Sequence, residues 1–208
     1  MAAVAGLAAA LSGCSLLSTP DPVQMYRFGL PLDAPSAEGA APAPLSVSVR
    51  RIEFPEATRD DRILGVTGTE TAYIGGARWV SPAATLFDDS LKAAFANRAD
   101  RIRVLGRREP GTPPLVLQVS VTTFEARYSS PGAVPDVIVT ARAQLRSTPE
   151  RQAAGGAIRP EQGRSVERVF TVTQPATENR VAAIVDAFDR ATRDINTQIA
   201  DWTIQSAN

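Results

Sequence analysis

The feature that most constrains this chain is an apolar rhythm near its C-terminus, where Val181, Ile184, Val185, Phe188, Ala191, Ile195, Ile199 and Trp202 recur every three or four residues. That is the helical period, held for several turns, and it predicts a long amphipathic helix opened by Thr177 as N-cap. A helix with one apolar stripe must bury that stripe against another layer, and the rest of the chain offers mainly strands for the purpose.

The strands announce themselves by alternation. Leu115, Leu117, Val119 and Val121 alternate with Val116, Gln118, Ser120 and Thr122, the two-residue period of a strand buried on at least one face. Val137, Val139, Ala141, Ala143 and Leu145 repeat the pattern beyond Pro131-Gly132 and Pro135-Asp136, so the two runs are expected to form a hairpin. Val166, Phe170 and Val172 mark a further strand that Pro175 ends. Upstream, Leu45 to Ile52 reads as a strand with a register shift near Arg50-Arg51, stopped by Pro55. Thr71–Ile74 and Ala77–Val80 flank Gly75-Gly76, the spacing of a tight hairpin turn. Ser81-Pro82 then places an N-cap residue before a proline at the first helical position, and Leu86, Phe87, Leu91, Ala94 and Phe95 share one face of a helix running to about Arg98. Arg101–Leu105 is a short strand. This order predicts an α+β domain over 45–208: a two-layer sandwich of a mostly antiparallel sheet with two amphipathic helices on one face.

Ahead of that domain, small and apolar residues from Ala2 to Ala10 lead into Leu11-Ser12-Gly13-Cys14. The run is far shorter than the roughly 20 apolar residues that span a bilayer. It resembles the lipobox of bacterial lipoproteins, which implies a signal peptide over 1–13 removed by cleavage and lipid attachment at Cys14. The thiol then carries a diacylglycerol and the new amino group an acyl chain, the only prosthetic chemistry expected. A secretory leader carries Lys or Arg near its start, and none precedes Arg27, which leaves the start of the natural chain open. Residues 14–44, punctuated by Pro20, Pro22, Pro31, Pro35, Pro42 and Pro44, read as a tether. Within it the alternation of Tyr26, Phe28 and Leu30 predicts a short edge strand at 23–30.

Composition removes several kinds of chemistry. Lys+Arg and Asp+Glu number 22 each, for a formal net charge of zero, and no basic patch marks a nucleic-acid partner. Histidine is absent, so a Ser-His-Asp hydrolase has no base. Cys14 is the only cysteine, which excludes a disulfide within the chain and a soft-metal cluster. Asp60-Asp61 and Asp88-Asp89 are adjacent carboxylate pairs, but neighbours on a strand or helix point apart, so both read as solvated surface charge. Gly65-Val66-Thr67-Gly68-Thr69 lacks the lysine of a phosphate loop. No catalytic or metal site is expected.

The stretch Asp61-Arg62-Ile63-Leu64, then Thr69 through Val80, followed by Pro82-Ala83 and the Leu86-Phe87 helix, is similar to the signature region of the ABC-type transport auxiliary lipoproteins. That family includes the lipoprotein component of the paraquat-inducible (Pqi) envelope lipid-transport system. Met25-Tyr26-Arg27-Phe28 resembles the aromatic segment that follows the family's anchor. The resemblance implies a non-enzymatic periplasmic domain, serving a transporter whose ATPase, permease and MCE-domain subunits are other chains. Ser15 follows Cys14 where an aspartate would retain a lipoprotein in the inner membrane, which implies the outer membrane; a homo-oligomer is left open. A second reading is an envelope scaffold or assembly lipoprotein unrelated to lipid transport. Tyr73, Arg78 and Trp79 are of the types that anchor interfaces and are the candidate partner-binding residues. For Trp79 packing beneath the following helix is the stronger expectation, and Trp202 is expected in the core. The Thr148–Gly163 segment, with Gly155-Gly156, reads as a loop with docking as the alternative.

Overall fold

The computed structural model of the chain describes residues 22–29, 45–106, 113–148 and 163–207. Cys14, Leu30 and the interior of the 148–163 loop lie outside them. The described residues build one eight-stranded mixed sheet and two helices. In chain order they are β1 (Gln24–Tyr26), β2 (Leu45–Val49), β3 (Arg62–Thr67), β4 (Glu70–Trp79), α1 (Ala83–Ala96), β5 (Ile102–Val104), β6 (Leu115–Tyr128), β7 (Asp136–Ser147), β8 (Ser165–Pro175) and α2 (Val181–Ala207).

The long strand β6 is the spine. Along one edge it pairs with β7 antiparallel from Leu115↔Ser147 to Arg127↔Asp136, and β7 pairs in turn with β8. The other edge is shared: β2 lies parallel to its start, with Val47↔Leu115, and β3 lies parallel to its end, with Gly65↔Ala126. Between them a bridge at Glu53↔Ser120 keeps the chain on β6 until Pro55 turns it away. The fold is therefore α+β, on a mixed sheet that is mostly antiparallel. Its antiparallel ladders, β3–β4, β6–β7 and β6's neighbour pair β7–β8, are supplemented by four short parallel ones. Strand alternation reveals which face is buried, not which direction a distant neighbour runs.

Inward side chains of β6, β7 and β8, among them Leu117, Val119, Val139, Ala141, Phe170 and Val172, are buried beneath the helices. The outward residues are polar and cross-linked, as in Thr140–Thr171 and Arg142–Glu167, the pattern of a sheet with one wet face. Helix α2 packs across β7 and β8 and against α1. It buries Ile184, Phe188, Ala191, Ile195, Ile199 and Trp202, with Trp202 edge-on to Phe170 at 5.8 Å.

Three local expectations are corrected. Gly75-Gly76 is not a turn: β4 runs straight through it, and the hairpin closes at Gly68-Thr69 between Thr67 and its partner Glu70. The pair instead absorbs a register shift, since β4 spends four residues between Tyr73 and Arg78 where β3 spends one between Leu64 and Arg62. Gly68 (φ +59°) and Gly76 (φ +67°) both occupy the left-handed region that turns and bulges alike demand. At α1 the N-cap is Pro82, without a side-chain cap bond. The carbonyls of Asp60 and Arg59 accept from the N–H groups of Ala83 and Ala84, so a neighbouring loop does the work expected of Ser81. Thr177 likewise lies outside α2, whose first turn is closed by Ile184 N–H donating to Arg180 C=O.

The segment 22–29 belongs to the sheet. β1 lies at its edge, parallel to β4, with Gln24↔Ala77 and Tyr26↔Trp79. Phe28 is 1 % exposed, its ring 4.8 Å from Trp79 and 5.3 Å from Phe124. Gly29 then passes between the helices: its N–H donates to Asp189 of α2 at 2.7 Å, and a Cβ there would sit 2.6 Å from Cβ of Ser90 on α1.

Candidate functional site

The β3–β4 hairpin carries the three residues that sequence singled out, and alternation along β4 sends them to opposite faces. Ala77 and Trp79 point inward, while Arg78 points out. Trp79 is fully buried, edge-on to Phe28 and to Phe188 at 5.4 Å. Among the described residues its indole Nε1–H finds no acceptor. It is a packing residue and offers no surface to a partner.

Arg78 and Tyr73 do face solvent. The Arg78 guanidinium donates to both carboxylate oxygens of Asp61 at 3.0 Å. Both partners are about two-fifths exposed, so the pair adds at most about 1 kcal/mol to stability; its effect is to hold the guanidinium in place. Tyr73 is 38 % exposed, and its hydroxyl donates to Ala57 C=O at 3.1 Å. The Arg62 guanidinium stacks over its ring, 3.9 Å from the centroid. Two cations and one aromatic ring are thus fixed on the outer face of the hairpin, beside the Gly75-Gly76 bulge. That Asp61 and the Ala57 carbonyl do the fixing carries no signal in sequence, because they lie 17 and 16 residues from their partners.

The carboxylate pairs do not assemble into an acid–base site. Asp60 is held by Arg59, Asp61 by Arg78, and Asp88 by Lys92 four residues on. Asp60 and Asp88 line an open groove of about 550 Å³ with Arg51, Arg59 and Thr85, in which opposite charges balance. A smaller cavity of about 220 Å³ lies at the far end of the sheet, between Leu115, Leu145, Val166 and the last turn of α2. Among the described residues no group of three or more His, Cys, Asp or Glu side chains is placed to hold a metal ion. No described helix is long and apolar enough to cross a membrane.

A family model for the ABC-type transport auxiliary lipoprotein component matches residues 26–200. Among solved structures, protein XCC0632 from Xanthomonas campestris is 23% identical with a TM-score of 0.68, the alignment covering 88% of this chain and 96% of that one. An uncharacterized protein is 15% identical with a TM-score of 0.64, over 87% and 98% of the two chains. At such identities these two likenesses speak to the fold. No curated protein matches by sequence.

Proposed function

The chain belongs to the ABC-type transport auxiliary lipoprotein family, and from that premise we propose that it is a non-enzymatic accessory of an MCE-linked envelope lipid transport system. In this reading it is held at the outer membrane through lipid on Cys14. The observation that carries the proposal is the extent of the family match, which runs from Tyr26, the last residue of β1, to Ala200 in α2 and so takes in the hairpin together with the docked Phe28 and Gly29. Ser15 after Cys14 supports outer-membrane sorting, and the resemblance of residues 61–95 to the signature region of a family that includes the Pqi lipoprotein supports the link to MCE-domain subunits. Tyr73 and Arg78 are the contacts we assign to the partner, because they are exposed and already immobilised, which reduces the entropy lost on docking. Trp79 sets the hairpin from behind.

The test is affinity purification of the tagged protein from detergent-extracted envelopes, with mass spectrometry of the partners and of the mature N-terminus. Recovery of an MCE-domain subunit with an acylated Cys14 is expected, and Arg78→Ala with Tyr73→Ala should reduce that recovery. Partners drawn from an unrelated envelope complex would replace this reading with that of a scaffold.

A further inference from the structure

The domain has two distinct ends. At one, the Gly68-Thr69 turn lies beside the end of β6, since Thr67 pairs with Tyr128. The 129–135 loop and the start of α2 join it there, through Asp136↔Pro175 and Asn179 Nδ2 donating to Gly132 C=O at 3.1 Å. At the other end lie the starts of β6 and β8, the last turn of α2 and the 220 Å³ cavity. Helix α2, 27 residues long, runs from one to the other, a distance of about 40 Å.

β1 determines which end the anchor approaches. Because it runs parallel to β4, chain leading back from Gln24 leaves in the direction of Glu70, toward the Gly68-Thr69 end. Ten residue steps separate Cys14 from Gln24, which reach at most about 36 Å. Had all of 14–44 been free tether, the reach would have been about 110 Å. Gln24 sits level with Ala77, next to the Arg62↔Arg78 pair, and the five steps of β3 from Arg62 to Thr67 cover about 16 Å. About 20 Å of slack remains beyond the hairpin tip. Presenting the opposite end would require the chain to reverse and spend most of its reach along the domain's own flank.

We propose that the end formed by Gly68-Thr69, the 129–135 loop and Glu178–Arg180 faces the lipid surface at close range. The cavity end is then turned away from that surface and toward other components. The inference rests on lipid attachment at Cys14. Charge does not bring this end to the membrane: Arg127 pairs with Glu125 and Arg180 with Glu178, while Glu70 and Asp136 add negative charge, so no net positive charge is presented to lipid. The short leash sets the orientation, and β1 makes the leash short.

The test uses the mature, acylated chain in liposomes. With Cys14 blocked by its lipid, Thr69→Cys and Gln205→Cys each provide a single free thiol, one at either end, for a fluorescent donor. Energy transfer to a headgroup-labelled acceptor lipid is expected to be several-fold greater from position 69. Inserting about 20 Gly/Ser residues after Ser15 should erase most of the contrast, since such a linker adds roughly 25 Å of root-mean-square reach. Equal transfer from the two positions in an acylated protein, or a contrast that survives the insertion, overturns the orientation alone. An unmodified Cys14 by intact mass overturns the anchor, and the orientation with it.

Discussion

Gly29→Ala probes whether the N-terminal strand is truly clamped between the helices. The new Cβ would lie 2.6 Å from Ser90 Cβ and 2.8 Å from its Oγ, and the backbone there has φ +73°. Forcing a methyl into a filled interface costs about 1–3 kcal/mol. The left-handed conformation adds about 1–2 kcal/mol for any residue with a Cβ. The expected loss is therefore about 2–5 kcal/mol, read as a fall in the urea midpoint at a slope of about 1–3 kcal/mol/M. A chain that begins at Ser15 suits the assay. Ser90→Gly removes the steric part and leaves the backbone part, so the double variant should recover about 1–3 kcal/mol relative to additivity. Limited proteolysis beyond Gly29 should follow the same order. A neutral Gly29→Ala, or single effects that add within about 0.5 kcal/mol, would refute the clamp.

Asn196 is fully buried on α2, and among the described residues neither its Oδ1 nor its Nδ2 has a hydrogen-bond partner. Asn196→Leu should therefore be neutral or raise stability by about 1–3 kcal/mol in thermal unfolding, and a marked loss would reveal a partner to the amide. Arg98 donates through two nitrogens to Asp201, joining the turn after α1 to α2, and this hydrogen bonding holds the Asp201 carboxyl below its ordinary range. A depressed carboxylate pKa stabilises the fold above the unfolded value of about 3.9, and the gain disappears as pH falls through the lower folded value. Asp201→Asn should lower stability at neutral pH and flatten the acid limb of the pH–stability curve; an unchanged limb would sink the assignment. Tyr73→Phe, which deletes the bond to Ala57 C=O, should cost about 0.5–1.5 kcal/mol by urea titration.

What could be read from sequence follows the range of the interaction that decides each element. The β6, β7 and β8 patterns and the α2 stripe are local periodicities, and the structure reproduces them nearly residue for residue. Gly75-Gly76 misled because a tight turn and a bulge ask the same thing of glycine, and only pairing across β3 distinguishes them. The helix starts misled for a related reason. Ser81 and Thr177 are good caps in isolation, but α1 takes its acceptors from a loop more than 20 residues upstream. In the candidate site, residue types singled out Tyr73 and Arg78 as candidates only, whereas the groups that immobilise them become neighbours only when β3 and the 55–61 turn are in place. Trp79 has the composition of an interface anchor and the burial of a core residue, and alternation along β4 decides between the two.

The placement of β1 also bears on the order in which the chain assembles. β6 and β7 pair across a short loop, with β8 and α2 following in sequence, so their contacts close comparatively small loops. Gly29, by contrast, meets Asp189 across 160 residues. The C-terminal half is accordingly expected to form the nucleus and the N-terminal strand to dock last. A φ-value near zero for Phe28→Ala, with substantially higher values in β6 and β7, would bear this out, and high φ at Phe28 would contradict it. Late docking leaves Gln24–Gly29 off the sheet and away from the helices until the rest of the domain has folded, so under the proposed anchor at Cys14 the leash reaches its final length only in the last step.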